Sequence, residues 1–358
     1  MRFEPLSDAD RAHLESFITR TRKEDHLRIC LGEGVSFREV TNGFERWRIP
    51  HRALPEVDLD TVELGTTFLG RRLSLPLLIS SMTGGSDLAR RINQNLARAA
   101  QARGVAIGLG SMRILLADES ALDTFAVRDL APDVPLYANL GAVQLNYGAG
   151  APECEKLVRL VGADGLILHL NPLQEAVQPE GDARFAGLAR RIADVVPNLP
   201  FPVIAKEVGA GISAEVAREL VRAGVRAIDV AGASGTSWSR IEGKRARSER
   251  AARLGELFGD WGIPTAECLL DCRQALPEVP LVASGGIRNG LEAAKAIAMG
   301  ADLVGIARPF LEAANDSAEA AIQRIDEFAR ELRVAMFAAG ARNLAELGRV
   351  RLVRTGGP

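Results

Sequence analysis

The sequence is short of the residues that define several common classes of protein. Its 358 residues include only four cysteines, at 30, 154, 268 and 272, too few and too scattered for a disulfide framework. Cys268 and Cys272 have the spacing of one helical face and could bind metal as a pair, but no further Cys or His stands near to complete a zinc site. The thiols therefore read as reduced and buried, and the chain as cytoplasmic. An excess of either charge is also missing. The 44 Lys and Arg against 46 Asp and Glu give a net charge of −2, so nothing draws the chain to nucleic acid or an anionic membrane. No apolar run reaches the roughly 18 residues of a spanning helix. The opening MRFEPLSDADR has no apolar core, and no secretory signal is expected.

What the sequence does have is one grammar, repeated. From residue 75 a short apolar run is followed by a glycine-rich or polar tip and then a stretch with helical spacing. The runs are LPLLISSMTGG, VAIGLGSMR, PLYANLGAVQL, DGLILHLNPLQE, PVIAKEVGAGIS, AIDVAGASGTSW, PLVASGGIRNG and ADLVGIARPFL. Strand alternating with helix implies a parallel sheet, and eight units imply closure. The expected fold is an α/β (β/α)8 TIM barrel with an N-terminal extension, since such a barrel takes about 250 residues. The expected divisions are an extension over 1–74 that contributes to a substrate site, a barrel over 75–340 and a tail over 341–358. Residues 239–262, rich in charge, read as an inserted mobile loop or surface helix.

Polar groups gather at the tips. DGLILHLNPLQEAVQPEGD, residues 164–182, passes from a core strand into His169, Asn171, Gln174, Glu175, Gln178, Glu180 and Asp182. Ser80, Ser81, Thr83, Ser111, Arg113, Asn139, Gln144, Lys206, Thr236 and Arg288 lie at equivalent places. Solvent exposure alone would not confine such residues to one end of the strands, and that end is where barrels of this kind build their sites. Gly285 and Gly286, with Arg288 or Arg308 nearby, suit a phosphate at a helix N-terminus. Lys206, in an otherwise apolar run, needs a partner. It could form a Schiff base, face the electron-rich end of a flavin, or pair with Glu207 or Asp229. The neutral groups around it suit a flat heteroaromatic ligand. Glu175 offers a hard oxygen for Mg²⁺, which usually combines one or two carboxylates with substrate phosphates. Arg22, Lys23 and Arg113 form a second cationic group.

The segments RKEDHLRI, SSMTGG, GLGSMR, ANLGA, HLNPLQEAVQPEGD, AKEVG, GTSW, SGGIRNG and GIARPF occur in this order over residues 22–310. In them the chain resembles the type 2, FMN-dependent isopentenyl-diphosphate Δ-isomerases. The resemblance implies FMN over the barrel mouth, touched by Ser81, Met82, Thr83, Ser111, Asn139, Lys206 and Thr236. Its phosphate would be held by Gly285, Gly286, Arg288, Ala307 and Arg308. Arg22, Lys23, His26, Ser111, Met112, Arg113, Asn171 and Gln174 would bind the substrate. Gln174, His169 and Lys206 would be catalytic, and Glu175 would bind Mg²⁺. Met112 replaces a common Gln of the family, and Ser234 a common Gly. The implied activity interconverts isopentenyl and dimethylallyl diphosphate on reduced FMN, with NAD(P)H as reductant, in a homo-oligomer (tetramer or octamer). The alternative is an FMN-dependent 2-hydroxy-acid oxidase. That chemistry relies on a histidine base at a late strand end, whereas the four histidines are His13, His26, His51 and His169.

Overall fold

Each apolar run forms a short strand: β1 (Leu77–Ile79), β2 (Ala106–Gly108), β3 (Leu136–Gly141), β4 (Gly165–Leu170), β5 (Val203–Glu207), β6 (Ala227–Asp229), β7 (Leu281–Ser284) and β8 (Leu303–Ile306). The computed structural model describes residues 21–32 and 34–355. Residues 1–20 of the expected extension and 356–358 of the expected tail fall outside this range, as does residue 33. Each strand is parallel to its neighbours, and β8 returns to pair with β1, Val304 opposite Leu77, so the barrel is closed.

A strand alternates its side chains with a period of two, so each barrel strand has an inner and an outer set. The inner set begins with Leu78, Ala106, Tyr137, Ile167, Ile204, Ala227, Val282 and Leu303, which pack together as one layer with Phe68 and Leu73. Those last two come from an antiparallel ribbon, Thr66–Phe68 with Arg71–Leu73. Its two-residue turn has Leu69 at φ 47° and Gly70 at φ 80°, the positive pair that a type I′ hairpin requires. The ribbon thus plugs one end of the barrel and leaves the other end open.

The outer set packs under helices. In α1 (Asp87–Arg103) the buried residues Ala89, Ile92, Leu96, Ala99 and Ala100 recur at helical spacing. Burying Ile92 and Leu96 contributes about 1.5–3 kcal/mol each. Ser86 caps the start by accepting from the Ala89 N–H, and Gly104 at φ 61° ends the helix.

Residues 239–262 are only in part the expected surface helix: 239–243 fold into the barrel, while 249–257 form a helix with only Gly255 buried. α2 (Trp238–Arg245) and α3 (Glu249–Leu257) pack closely, and Ser239, Arg240, Ile241, Glu242 and Gly243 are buried. A Cβ on Gly255 would lie 2.5 Å from the Gly243 Cα, so the contact needs glycine there. The segment's charges pair with one another. Arg240 meets Asp260 at 2.5 Å and Glu256 at 3.3 Å, which is why a run that reads as solvated can be buried.

The extension reaches the open end. Residues 21–31 are helical, and the segment after them lies along the loop following β6, with Ser237 N–H donating to the Val35 carbonyl at 2.7 Å and Phe37 N–H to that of Gly235 at 3.1 Å. Trp47–Arg48 pairs with Val353–Arg354, so extension and tail meet. All four cysteines are free thiols. Among the described residues no helix is long and apolar enough to cross a membrane.

Candidate active site at the barrel mouth

Two residues beyond the inner apolar layer, the same alternation brings Ser80, Gly108, Asn139, His169, Lys206, Asp229, Ser284 and Gly305 inward. These are polar or lack a side chain. Ser80, Asn139, His169, Lys206, Ser284 and Gly305 among them line the floor of a cavity of about 440 Å³. A Cβ on Gly305 would lie 2.7 Å from both Ser284 Cβ and Ser80 Oγ, so the glycines keep space open.

At the centre, Lys206 Nζ lies 3.2 Å from Asp229 Oδ2, with the two side chains 9% and 0% exposed. It also donates to Ser284 Oγ at 3.3 Å, and Ser284 in turn donates to Asp229 Oδ1 at 2.5 Å. The sequence left Glu207 or Asp229 as partner. Glu207 falls on the outer face by alternation, where its Oε2 accepts from the backbone N–H groups of Val208, Gly209, Ala210 and Gly211. Burial pushes the Glu207 carboxyl up to about 7 against those bonds. Lys206 is thus a paired cation and not a free amine poised for a Schiff base.

His169 Nδ1 donates to Asn139 Oδ1 at 2.7 Å, leaving Nε2 with its lone pair. Burial, then Lys206 and Lys23, push its pKa down to about 4, so the ring is neutral at pH 7. Beside it Ser80 Oγ and Ser81 Oγ are buried with no protein hydrogen-bond partner among the described residues. Unpartnered hydroxyls in such a floor are suited to a polar ligand.

One wall is cationic. Lys23 Nζ donates to the Ser111 carbonyl at 2.6 Å and stands 4.8 Å from the centre of the Phe125 ring. Burial, then Arg22, push Lys23 down to about 7. Burial, then Arg113, likewise lower Arg22. Arg113 pairs with Asp182, which also accepts from Gln144 Nε2 at 2.9 Å. Crowded, desolvated cations of this kind gain from a multiply charged anion.

Beside them lies a carboxylate that sequence reasoning missed. Glu242, fully buried, accepts from His26 Nε2 at 2.9 Å, Gln174 Nε2 at 3.1 Å and Arg245 Nε at 3.0 Å. Burial raises the Glu242 carboxyl, but these partners outweigh it and hold it below its ordinary value. His26 also packs edge-on against Trp238, ring centres 5.2 Å apart. The available signal was the spacing of Trp238, Ile241, Glu242 and Arg245, which shares one helical face and sets a carboxylate beside apolar residues.

Asn171 Nδ2 donates to Gln174 Oε1 at 3.2 Å and Glu175 Oε1 at 2.7 Å, while Glu175 Oε2 accepts from the Asp182 N–H at 2.6 Å. Burial raises the Glu175 carboxyl against those bonds. The Asn171 Oδ1 is buried without a partner among the described residues. Glu175 thus offers Mg²⁺ one hard carboxylate beside an unpartnered oxygen. Among the described residues no three His, Cys, Asp or Glu form a metal cluster, so further ligands would have to be phosphate and water.

At the other end Gly285 and Gly286 have φ of 100° and 71°. A Cβ on the first would strike the Gly232 carbonyl oxygen at 2.1 Å, and on the second Ser234 Oγ at 1.9 Å, so both must be glycine. The exposed Arg288 and the start of α4 (Gly290–Ala298) follow, and Asn289 caps this helix by accepting from Glu292 N–H at 2.8 Å. Arg308 opens α5 (Arg308–Asp316), but its guanidinium turns away to Glu312, Ser36 and Gly32.

Most expected site residues come together around this cavity. Of the residues expected to hold the flavin, Ser81, Met82, Thr83, Asn139, Lys206 and Thr236 line it, as do Gly285, Gly286, Arg288, Ala307 and Arg308. On the cationic side are Arg22, Lys23, His26, Ser111 and Arg113, joined by His169, Asn171, Gln174 and Glu175. Met112 differs: its neighbours Ser111 and Arg113 line the cavity, whereas its own side chain is fully buried in the hydrophobic core.

Residues 19–122 and 174–354 match the FMN-dependent dehydrogenase family, so fold and site together define an FMN-dependent (β/α)8 barrel. A lactate oxidase of Pediococcus acidilactici superposes with a TM-score of 0.67 at 17% identity, over 100% of this chain and 97% of its own. A mandelate oxidase bound to (S)-mandelic acid gives 0.63 at 20%, over 96% and 99%. These likenesses are of fold. Sequence similarity is more specific. The isopentenyl-diphosphate delta-isomerase of a Synechococcus species is 57% identical, over 93% of this chain and 96% of its own. That of a Nostoc species is 53% identical over 93% and 95%, and that of Pseudescherichia vulneris 49% over 93% and 97%. The chain belongs to the isopentenyl-diphosphate delta-isomerase family.

Proposed function

We propose that this chain interconverts isopentenyl and dimethylallyl diphosphate on reduced FMN, with Mg²⁺ on the diphosphate. The observation that carries the reading is a single cavity with a neutral floor around Lys206 at one side and the Arg22, Lys23 and Arg113 wall at the other. The unpartnered Ser80 and Ser81 hydroxyls and the glycine cradle fit a flavin and its phosphate. Arg288, Ala307 and the backbone at the start of α5 would meet the phosphate.

Moving the double bond requires a proton to be added at one carbon and another removed two carbons away. Reduced FMN, when bound, supplies a proton-exchanging nitrogen and an electron-rich ring to face positive charge. Lys206, fixed by Asp229 and Ser284, would set a cation beside the bound flavin. Asn171 and Glu242 grip the two ends of the Gln174 amide, so its orientation is set before substrate arrives. Neutral His169 presents Nε2 as an acceptor. Arg22, Lys23, His26 and Arg113 bind the diphosphate, and Glu175 supplies one Mg²⁺ ligand. NAD(P)H serves as the electron donor that reduces the flavin, and the working form is a homo-oligomer. The oxidase alternative lacks its base: β6, β7 and β8 end in Asp229, Ser284 and Ile306, none a histidine.

Purified protein loaded with FMN and reduced anaerobically tests the reading with isopentenyl diphosphate and Mg²⁺. The product expected is dimethylallyl diphosphate, formed with reduced and not with oxidised FMN. Oxidation of a 2-hydroxy acid without isomerisation would overturn it.

A further inference from the structure

Arg308 was expected to meet the cofactor phosphate, yet its side chain is engaged elsewhere. Nη2 donates to the Gly32 carbonyl at 2.9 Å, Nη1 to Ser36 Oγ at 3.2 Å, and Nε to Glu312 Oε1 at 2.8 Å. Gly32 and Ser36 follow directly on residues 21–31, the helical stretch carrying Arg22, Lys23 and His26. Beyond the latch point the chain is tied to the β6 loop by the Val35–Ser237 and Gly235–Phe37 bonds. Glu312 lies one turn on from Arg308 in α5 and fixes the guanidinium plane. A planar fork can bridge a carbonyl, a hydroxyl and a carboxylate at once, which a lysine cannot.

We propose that Arg308 is a positioning residue that latches the cation-bearing extension to the loop after β8. The cofactor phosphate then depends on the main-chain N–H groups of Ala307 and Arg308, since Pro309 has none and those of Phe310 and Leu311 donate to the Ala307 carbonyl, and on the Gly285–Gly286 turn, while the guanidinium holds the cation-bearing segment in place. The inference rests on the proposed function for the identity of the two ligands.

The test uses full-length protein carrying Arg308→Met, Arg308→Lys or Ser36→Ala. Three quantities are read: FMN affinity by flavin fluorescence, affinity of the FMN-loaded protein for inorganic pyrophosphate with Mg²⁺, and the rate of tryptic cleavage after Lys23 and Arg28. Both Arg308 variants should weaken pyrophosphate about tenfold and speed cleavage, with FMN affinity changed less than about threefold. Ser36→Ala, which leaves Arg308 intact, should shift pyrophosphate affinity and cleavage the same way, by about threefold. A tenfold loss of FMN affinity in Arg308→Met, rescued by Arg308→Lys, with pyrophosphate binding and cleavage unchanged, would overturn the latch and make the residue a phosphate ligand. Failure of the wild type to bind FMN or pyrophosphate would instead count against the proposed function. The cleavage comparison would still decide the latch.

Discussion

The two ends of the cavity each hold a buried carboxylate, and they are built differently. Asp229 is an inner residue of β6, put in place by the alternation of the barrel, and one lysine and one serine serve it. Glu242 comes from an inserted helix and serves three donors, one each from the extension, the loop after β4 and its own helix. The end proposed for the flavin is thus fixed by the sheet, while the end proposed for the substrate exists only when three separate segments meet. Rigid strands suit a resident cofactor. An assembled wall suits a ligand that must enter and leave.

The largest effects should come from removing one member of each buried cluster. Lys206→Met and Glu242→Leu should each cost about 3–5 kcal/mol in urea unfolding, since each leaves uncompensated charge or donors in the interior. The ends should then differ in rescue. Adding Asp229→Asn to Lys206→Met should recover most of the loss, whereas adding His26→Gln to Glu242→Leu should not, because the Gln174 amide still lacks its acceptor and Arg245 keeps only Glu180. Equal rescue at both ends would break the comparison.

Gln174→Leu should lower kcat about a hundred- to a thousand-fold, in the range of a lost preorganised hydrogen-bonding group, while FMN affinity stays unchanged. Parallel losses of FMN affinity and kcat would show that the ends are not separable. A smaller effect should follow pH. Burial depresses Lys23 to about 7, below its ordinary value, so in the ligand-free protein it is charged below pH 7 and neutral above. Pyrophosphate prefers the charged form, so the wild-type advantage over Lys23→Met should be full below pH 7 and fall as pH rises, by at most about tenfold per unit. For stability the sign reverses: the fold disfavours the ammonium, and Lys23→Met should stabilise the ligand-free protein most below pH 7. Titration calorimetry and thermal melts across pH 6–9 measure both. The smallest effect concerns Ser234, whose φ of 132° favours glycine. Ser234→Gly should raise stability by about 1 kcal/mol in the same unfolding assay.

The same contrast explains what could be read from the sequence. The barrel was legible because eight apolar runs carry their own boundaries. The floor was legible because period-two alternation turns a strand-end Lys206 or His169 inward once the strand is placed. Asn139 and Ser80 follow by the same rule. Met112 differs because it lies in a loop past β2, where alternation no longer fixes direction, and it turns into the core. Glu242 was hidden in SRIEGKRARSER, which reads as a solvated charge run unless it is known that Arg240 is neutralised by Asp260 and Glu256. Arg308 sits in a motif that suggests phosphate, and its contacts with Gly32 and Ser36 span 276 and 272 residues. No local pattern reports such a pairing.

The central claim is that one cavity binds a reduced flavin and a diphosphate and moves a proton between them. The most direct measurement is anaerobic turnover of isopentenyl diphosphate in deuterated water by the FMN-loaded, reduced protein with Mg²⁺, read by mass spectrometry of the product. The account predicts dimethylallyl diphosphate carrying solvent deuterium, formed by the wild type and nearly lost in Gln174→Leu. Flavin-loaded protein that binds the diphosphate but leaves it unlabelled and unchanged would contradict it.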